Sequence, residues 1–411
     1  MDKENVSIEQ EEDKSKADDL SQSSEESLKG QKPDDKRADG GDESGERDDS
    51  GKEAIKIEHI KPGTIMKGKL FSEDNKLLFE EYHVFNENDL NQLNEKGIKE
   101  VYFIPAIDTI SNDTKKQSLQ FMEQFLQIIK SGKAANISDS KQVINLMISD
   151  VYDKEVGLIT LLELKDYSDY AYVHSVNVGI LTMIFAKKLG LSSTDARSIG
   201  LGSFLHDVGK INTPDEMIWK VVGDNDYEKT TIQEHPMFGY RILESTGEVP
   251  DDVLDIVIGH HEHADGSGYP AGLKSKSLDK FVNIVAICNY YDYLIEKVDG
   301  KESLSPREAV LNIYELSGKF FNPFFVKPFV NELSYLLLNN PLYPIESLIL
   351  LNTREIAIVD EIARYSDMKP VVRIISNHKG QKLKRFIPVN LKNDPSRNIV
   401  KIIRLPKDET M

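Results

Sequence analysis

The 411-residue sequence predicts a mainly α protein. A helical bundle over residues 136–340 lies between a small α/β domain at 55–135 and a small β-rich domain at 341–411. Three observations carry this. Apolar residues recur at helical spacing from about Ser138 to Leu338. From Ile55 they alternate with polar residues between turn signals, and after Pro341 they form short β-branched runs separated by polar turns.

Residues 1–54, "MDKENVSIEQEEDKSKADDL" onward, supply about ten of the excess negatives behind the formal net charge of −18 and almost no large apolar residue. Such a segment buries too little surface to offset chain entropy and reads as a disordered acidic tail. "IKIEHIKPGTIMKGKLFSEDNKLLFEEYHVF" then alternates as strands do, with turns at Pro62-Gly63 and "SEDNK". In "NENDLNQLNEKGIKEVYFI", Leu90 and Leu93 space a short helix, Gly97 stops it, and a strand follows at Val101–Ile104.

The bundle opens with "KQVINLMISDVYDK", which places Val143, Leu146, Met147 and Val151 on one face. "HSVNVGILTMIFAKKLG" is a mostly apolar helix stopped by Gly190. "STDARSIGLGSFLHDVGK" opens on capping residues. "HPMFGYRILEST", "DDVLDIVIGHHEH", "KFVNIVAICNYYDYLIEK" and "SPREAVLNIYELS" complete the set. The closing runs "ESLILL", "EIAIVDEI", "KPVVRIIS", "KLKRFIPV" and "NIVKIIRL" predict a small sheet or barrel.

Charge and composition exclude several classes. A net charge of −18 argues against a surface built for a nucleic acid polymer or an anionic membrane. The single cysteine, Cys288, rules out an internal disulfide and fits a reducing compartment. The N-terminus has no apolar core of the secretory kind, and no run approaches the ~18 apolar residues of a membrane span. A cytoplasmic protein is expected.

Histidines are unevenly placed. Of nine in the chain, His174, His206, His235, His260, His261 and His263 lie inside the bundle within about a quarter of the sequence, where an even spread would put about two. A single buried histidine is more often a satisfied core residue than a ligand. The adjacent pairs His206-Asp207 and His260-His261 change the balance, because burying such neighbours together costs several kcal/mol unless something coordinates them. Imidazoles with a carboxylate and no thiolates suit Mn(II) or Fe(II) better than structural zinc. In "DGSGYP", Gly266 and Gly268 permit positive φ or close backbone approach, and Pro270 stiffens the exit.

The segments "YAYVHSVNVGIL", "LGSFLHDVGKINTPDEMIWK", "HPMFGYRIL", "IGHHEHADGSGYPAGL" and "FNPFFVKPFV" stand in the order found in the HD-GYP family, which this chain resembles over about residues 165–335. These are bacterial metal-dependent phosphodiesterases acting on cyclic di-GMP. The resemblance implies an HD-domain helical bundle carrying two divalent transition metals, manganese or iron. Its implied ligands are His174, His206, Asp207, His235, His260, His261 and the residue at position 289, with Asp207 bridging. It implies catalytic roles for Asp207 and Lys210, the lysine steadying the phosphate. Lys210, Asp265, Gly266, Gly268, Tyr269, Pro270, Asp292 and Lys301 would face the substrate, which is linearised to pGpG, onward hydrolysis to GMP being left open.

The chain departs from that pattern on one helix and its sequel. Where the family carries arginine-isoleucine and aspartate-x-x-aspartate, this chain reads "NIVAICNYYD", with Asn283 and Asn289 in place of arginine and the first aspartate. Val298 replaces a substrate-binding arginine, and Tyr170 stands where three-metal members have a carboxylate. An amide oxygen coordinates without bringing charge, so the second reading is a catalytically impaired cyclic di-GMP-binding effector. A third, a hydrolase of other nucleotides, is disfavoured by "DGSGYP". A homodimer and protein partners of the acidic tail are left open.

Overall fold

The computed structural model describes residues 52–406 apart from 81–82, 107, 134–135, 155, 158, 164–169, 215–216, 218–224, 298–302, 339–340 and 363–367. The acidic tail, Val298 and Lys301 therefore lie outside the described residues. The N-terminal part holds β1 (Glu53–Lys56), β2 (Ile65–Met66), β3 (Gly68–Phe71), β4 (Leu77–Phe79), β5 (His83–Val84), α1 (Glu87–Glu95) and β6 (Glu100–Pro105). Strands β1, β6, β3 and β4 form one antiparallel sheet in that order, and β2 pairs with β5. Asn86 caps α1 through a reciprocal bond with Asp89, and Gly97 follows at φ +71°, a conformation glycine adopts without strain. Ile57, Ile60, Leu70, Phe85, Leu93 and Val101 make a small core of their own.

The bundle comprises α2 (Asn112–Lys130), α3 (Ser138–Tyr152), α4 (Tyr170–Lys188), α5 (Ser193–Leu205), α6 (Asp226–Glu244), α7 (Asp251–Gly259), α8 (Lys280–Ile295), α9 (Pro306–Glu315), α10 (Pro323–Pro328) and α11 (Ser334–Leu337), with a π-helical turn Phe329–Leu333 between the last two. α2 packs on α3 and α4, and its Met122 and Phe125 lie in the bundle's core. The 55–135 segment thus divides its packing between two cores. α4 is buried on every side from Val173 to Ala186, as a helix apolar all round must be. α5 meets α4, α7 and α3, and α8 lies on α4.

Two helices differ from the sequence reading. α6 begins at Asp226, capped by Asn225, so "HPMFGY" is helix interior rather than a helix start. α7 ends at Gly259, and the following histidines sit in a turn closed by Glu262 N–H on the Gly259 carbonyl.

After Pro341 come β7 (Leu348–Leu351), β8 (Ile356–Glu361), β9 (Val371–Ser376), β10 (Lys382–Asn390) and β11 (Ile399–Arg404). They form one antiparallel sheet in the order β10-β9-β8-β7-β11, whose inward residues Ile349, Leu351, Ala357, Val359, Val372 and Ile374 continue the bundle's core. The mainly α class with a β-rich C-terminal part holds. Among the described residues no helix is long and apolar enough to cross a membrane.

Candidate metal centre

Three histidines share one local device. His206 follows α5, His260 follows α7, and His235 lies inside α6. Their Nδ1 atoms lie 2.7, 2.8 and 2.6 Å from the carbonyl oxygens of Ser203, Val257 and Ile232, each three residues upstream. The last carbonyls of a helix lack an intrahelical N–H partner, which frees Ser203 and Val257. Ile232 is freed differently, because Pro236, four residues on within α6, has no N–H to give. Each Nδ1–H therefore donates, and each Nε2 keeps its lone pair.

Those lone pairs converge on Asp207. Its Oδ1 lies 3.2 Å from His235 Nε2 and 3.5 Å from His260 Nε2. Its Oδ2 lies 3.4 Å from His206 Nε2, 3.6 Å from His174 Nε2 and 2.7 Å from Lys210 Nζ. Burial alone would raise the Asp207 pKa, but His206 and Lys210 outweigh it and hold the carboxyl well below its usual range. Burial presses His235 and His260 down to about 4 against the pull of Asp207, and His261 well below its usual value. The last three are thus neutral at pH 7.

A cation fits this donor set. His235 and His260 present Nε2 to Nε2 at 3.1 Å, two lone pairs face to face with no proton between them. His206 Nε2 and both Asp207 oxygens are buried without a well-directed hydrogen bond, an arrangement that buried polar groups adopt only when something satisfies them. Among the described residues three groups are close enough to share an ion, and Asp207 belongs to two of them: Asp207, His235, His260 and His261, and His174, His206 and Asp207; the third is His174, Asp292 and Glu296. The chemistry is that of a divalent metal held by nitrogen and oxygen.

α8 supplies the back of the second group. Asp292 Oδ2 lies 2.7 Å from His174 Nδ1, and His174 Nε2 lies 2.9 Å from Asn289 Oδ1. With the Nδ1 proton held by Asp292, ring nitrogen and amide oxygen become two donors facing the same space. Glu296, one turn beyond Asp292, brings its carboxylate 3.9 Å from the same Nδ1. Cys288 faces the core, its thiol pushed up to about 12 by burial. Tyr170, fully buried, stacks on His174 at 5.3 Å, and Lys210 Nζ sits 5.6 Å over its ring.

The loop after α7 forms a wall. Glu262 accepts the N–H groups of Ala271 and Leu273, both at 2.8 Å, drawing the loop into a closed turn. Gly266 has φ +86°, and a Cβ on Gly268 would meet His261 O at 2.4 Å and His263 N at 2.3 Å. Tyr269 stacks on His261, ring centres 4.6 Å apart. Its hydroxyl is buried without a hydrogen-bond partner, and burial, with Asp207 nearby, raises its pKa well above the usual. Ser267 and Tyr269 line an adjoining cavity of about 310 Å3 with His260, His261 and Asn289.

The structure brings together His174, His206, Asp207, Lys210, His235, His260, His261 and Asn289. Other expected residues fall elsewhere. Asp292 was expected against the substrate, but its carboxylate is engaged by His174. Asp265 is exposed and accepts the Ser267 N–H of its own turn, and Gly266, Gly268 and Pro270 shape the loop rather than line the cavity. Asn283 ties the start of α8 to the preceding turn through Asp279 O and Ser275. The sequence reading missed Glu262, Glu296 and the glycine of "HDVGK". The four-residue spacing of Asp292 and Glu296 on one helix was a usable signal; the loop contacts of Glu262 left none.

Residues 159–323 match the HD domain, and residues 348–409 match the KOW domain associated with HD domain. A cyclic di-GMP phosphodiesterase of Pseudomonas aeruginosa is 29% identical over 252 residues, 61% of this chain and 59% of the relative. A cyclic di-GMP phosphodiesterase of Thermotoga maritima is 32% identical over 171 residues, 41% of this chain and 46% of the relative. The chain thus spans about three fifths or less of the length of these relatives. Among solved structures, the HD-GYP-type protein Bd1817 of Bdellovibrio bacteriovorus aligns over 67% of this chain and 97% of its own, at 17% identity and a TM-score of 0.42.

Proposed function

We propose that the chain, which carries an HD domain over residues 159–323, is a metal-dependent phosphodiesterase of the HD-GYP family hydrolysing cyclic di-GMP to linear pGpG. The convergence of Asp207 with neutral histidine Nε2 atoms carries the reading. In it Asp207, His235, His260 and His261 would hold one ion, and His174, His206 and Asn289, again with Asp207, would hold a second, manganese or iron. Divalent ions so held supply the charge that polarises a phosphate and lowers the pKa of water. Asp207 and the histidines fix the ions' positions, and Asp292 holds the His174 ring from behind. Lys210, kept near by Asp207 and the Tyr170 ring, donates to a non-bridging phosphate oxygen and stabilises charge that grows in the transition state. Lys301 belongs to the same reading as a substrate-binding residue. A cytoplasmic site of action fits the lone buried cysteine.

The effector reading rests on Asn289, which offers a neutral oxygen where a carboxylate would bring charge. One experiment separates the two. The purified full chain, loaded with manganese or iron, is incubated with cyclic di-GMP and the products are resolved by chromatography. Metal-dependent appearance of pGpG supports the enzyme; binding without turnover under both metals favours the effector.

A further inference from the structure

The hairpin of β9 and β10 carries charge opposite to that of the chain. Between Met368 and Asn393 there are seven lysines and arginines and no aspartate or glutamate, in a protein of formal net charge −18. Arg373 is paired with Asp360 at 2.9 Å, and Lys369 donates to the Arg397 carbonyl at 3.0 Å. Lys379, Lys382, Lys384 and Arg385 are exposed. Directly after them come Phe386 and Ile387, 43% and 50% exposed. β10 lies at the edge of the sheet, next to β9. Lys382 pairs with Ser376 and the next pair is Ile387 with Ile374, so Leu383–Phe386 bulge out of the ladder. Five successive side chains, Lys384–Pro388, are exposed. Neighbouring side chains on a strand point to opposite faces, so this stretch is bare on both.

Part of this has an ordinary explanation. Lysines, a bulge and a proline on an edge strand keep it from pairing with another sheet. Charge of either sign would serve that end, and it gives no reason to leave Phe386 and Ile387 in water. We propose that the β9–β10 hairpin is a membrane-contact element that lays its tip on an anionic lipid bilayer. Lys379, Lys382, Lys384 and Arg385 meet the headgroup phosphates, and Phe386 and Ile387 enter the boundary of the acyl chains. Charge complementarity draws the hairpin, since no carboxylate between Met368 and Asn393 opposes it. The apolar pair chooses the partner. A nucleic acid strand would stack on Phe386 but offers nothing to Ile387. A protein docked on one face of the strand leaves the other bare, whereas the interfacial layer of a bilayer surrounds what enters it. The charge that argues against a membrane-binding surface is a sum over the whole chain. Exposed charges more than ~8–10 Å from the lipid are largely screened at physiological salt, so the acidic remainder governs which side faces the bilayer. The proposal is independent of what the metal centre hydrolyses.

The test sediments the full chain with vesicles of phosphatidylcholine alone or mixed with phosphatidylglycerol, at low and high salt. Wild type sediments with the mixed vesicles and stays in solution with phosphatidylcholine alone, and salt weakens the binding. Lys382→Gln, Lys384→Gln and Arg385→Gln together lower the partition about 100-fold, at about fivefold for each cation near an anionic surface. Phe386→Ser with Ile387→Ser weakens it at unchanged charge. All five side chains are exposed, so melting temperature and bound metal, measured on each variant, stay at wild-type values. Equal sedimentation with the two kinds of vesicle, or with neither, overturns the proposal. So does wild-type partition in the charge variant, which leaves the apolar pair untouched. Wild-type partition in the Phe386→Ser, Ile387→Ser chain reduces the contact to charge and overturns the insertion. Tighter binding of a single-stranded oligouridylate than of mixed vesicles, lost in Phe386→Ser alone, overturns the bilayer in favour of a nucleic acid.

Discussion

Asn289 and the buried histidines give the centre two properties that single-residue measurements read directly. A neutral amide oxygen opposite His174 leaves the His174–His206 side with less negative charge than a carboxylate would bring. Asn289→Asp is therefore expected to tighten one ion, seen as a chelator titration in which metal leaves the variant at higher chelator than wild type. Coincident titrations would remove Asn289 from the ligand set. The histidines set a pH dependence. His235 and His260 sit at about 4 in the folded chain against 6.5 when unfolded. Below pH 6.5 the unfolded chain takes up protons that the folded chain refuses, so stability falls as pH drops from 6.5 towards 4 and the loss levels off below. Metal-free protein should accordingly melt at a lower temperature at pH 5 than at pH 7.5, and the His235→Gln variant should show a smaller difference.

At the scale of elements, the "HDVGK" segment is a helix end followed at once by a 3-10 turn, Val208–Asn212, pressed onto α6. A Cβ on Gly209 would stand 2.0 Å from the His235 carbonyl oxygen and 2.5 Å from Gly239 N. Gly209→Ala must push the turn off α6 and carry Asp207 and Lys210 with it. The expected cost is on the order of 2–4 kcal/mol, measurable by denaturant unfolding, with loss of bound metal beyond what the stability change explains. This is where sequence and structure part. Long apolar runs display α8 and all but the first turn of α4, and adjacent polar pairs such as His206-Asp207 betray a centre because their burial needs an explanation. The reason for Gly209 is a contact between segments distant in sequence, and no local pattern records it. Asp292 was legible as a residue near the centre but not in its task, since position along a helix gives a face and not a hydrogen-bond partner. The start of α6 was misread because His-Pro resembles a helix beginning, whereas tertiary packing tolerates the proline in the interior.

Across the whole molecule, the C-terminal sheet shares its core with the bundle. Leu342, Tyr343, Ile349, Leu351 and Val359 are buried in the same apolar cluster as Phe329 and Leu333. Ending the chain after residue 340 would strip that cover from the bundle and present a continuous apolar face to water. The shortened chain is expected to aggregate or to melt well below the full chain, as size-exclusion chromatography and thermal unfolding would show. A soluble fragment with unchanged melting temperature would mean that the sheet is an independent passenger.

Pro236 has a consequence of another kind. A proline inside a helix is ordinarily a defect, since it removes one backbone bond and crowds the preceding turn. Here the missing bond leaves the Ile232 carbonyl to the His235 ring, 2.6 Å away, so the defect sets the tautomer. Pro236→Ala restores an N–H that competes for that carbonyl. The helix gains and the imidazole loses its tether. The variant is expected to melt higher when metal-free and to bind metal about 10–100-fold more weakly, the usual range for losing a group that orients a ligand. Paired measurements of melting temperature and metal affinity would then move in opposite directions. A substitution that any stability-guided redesign would favour is the one that unsettles this centre, so sturdiness and competence are set against each other at a single ring.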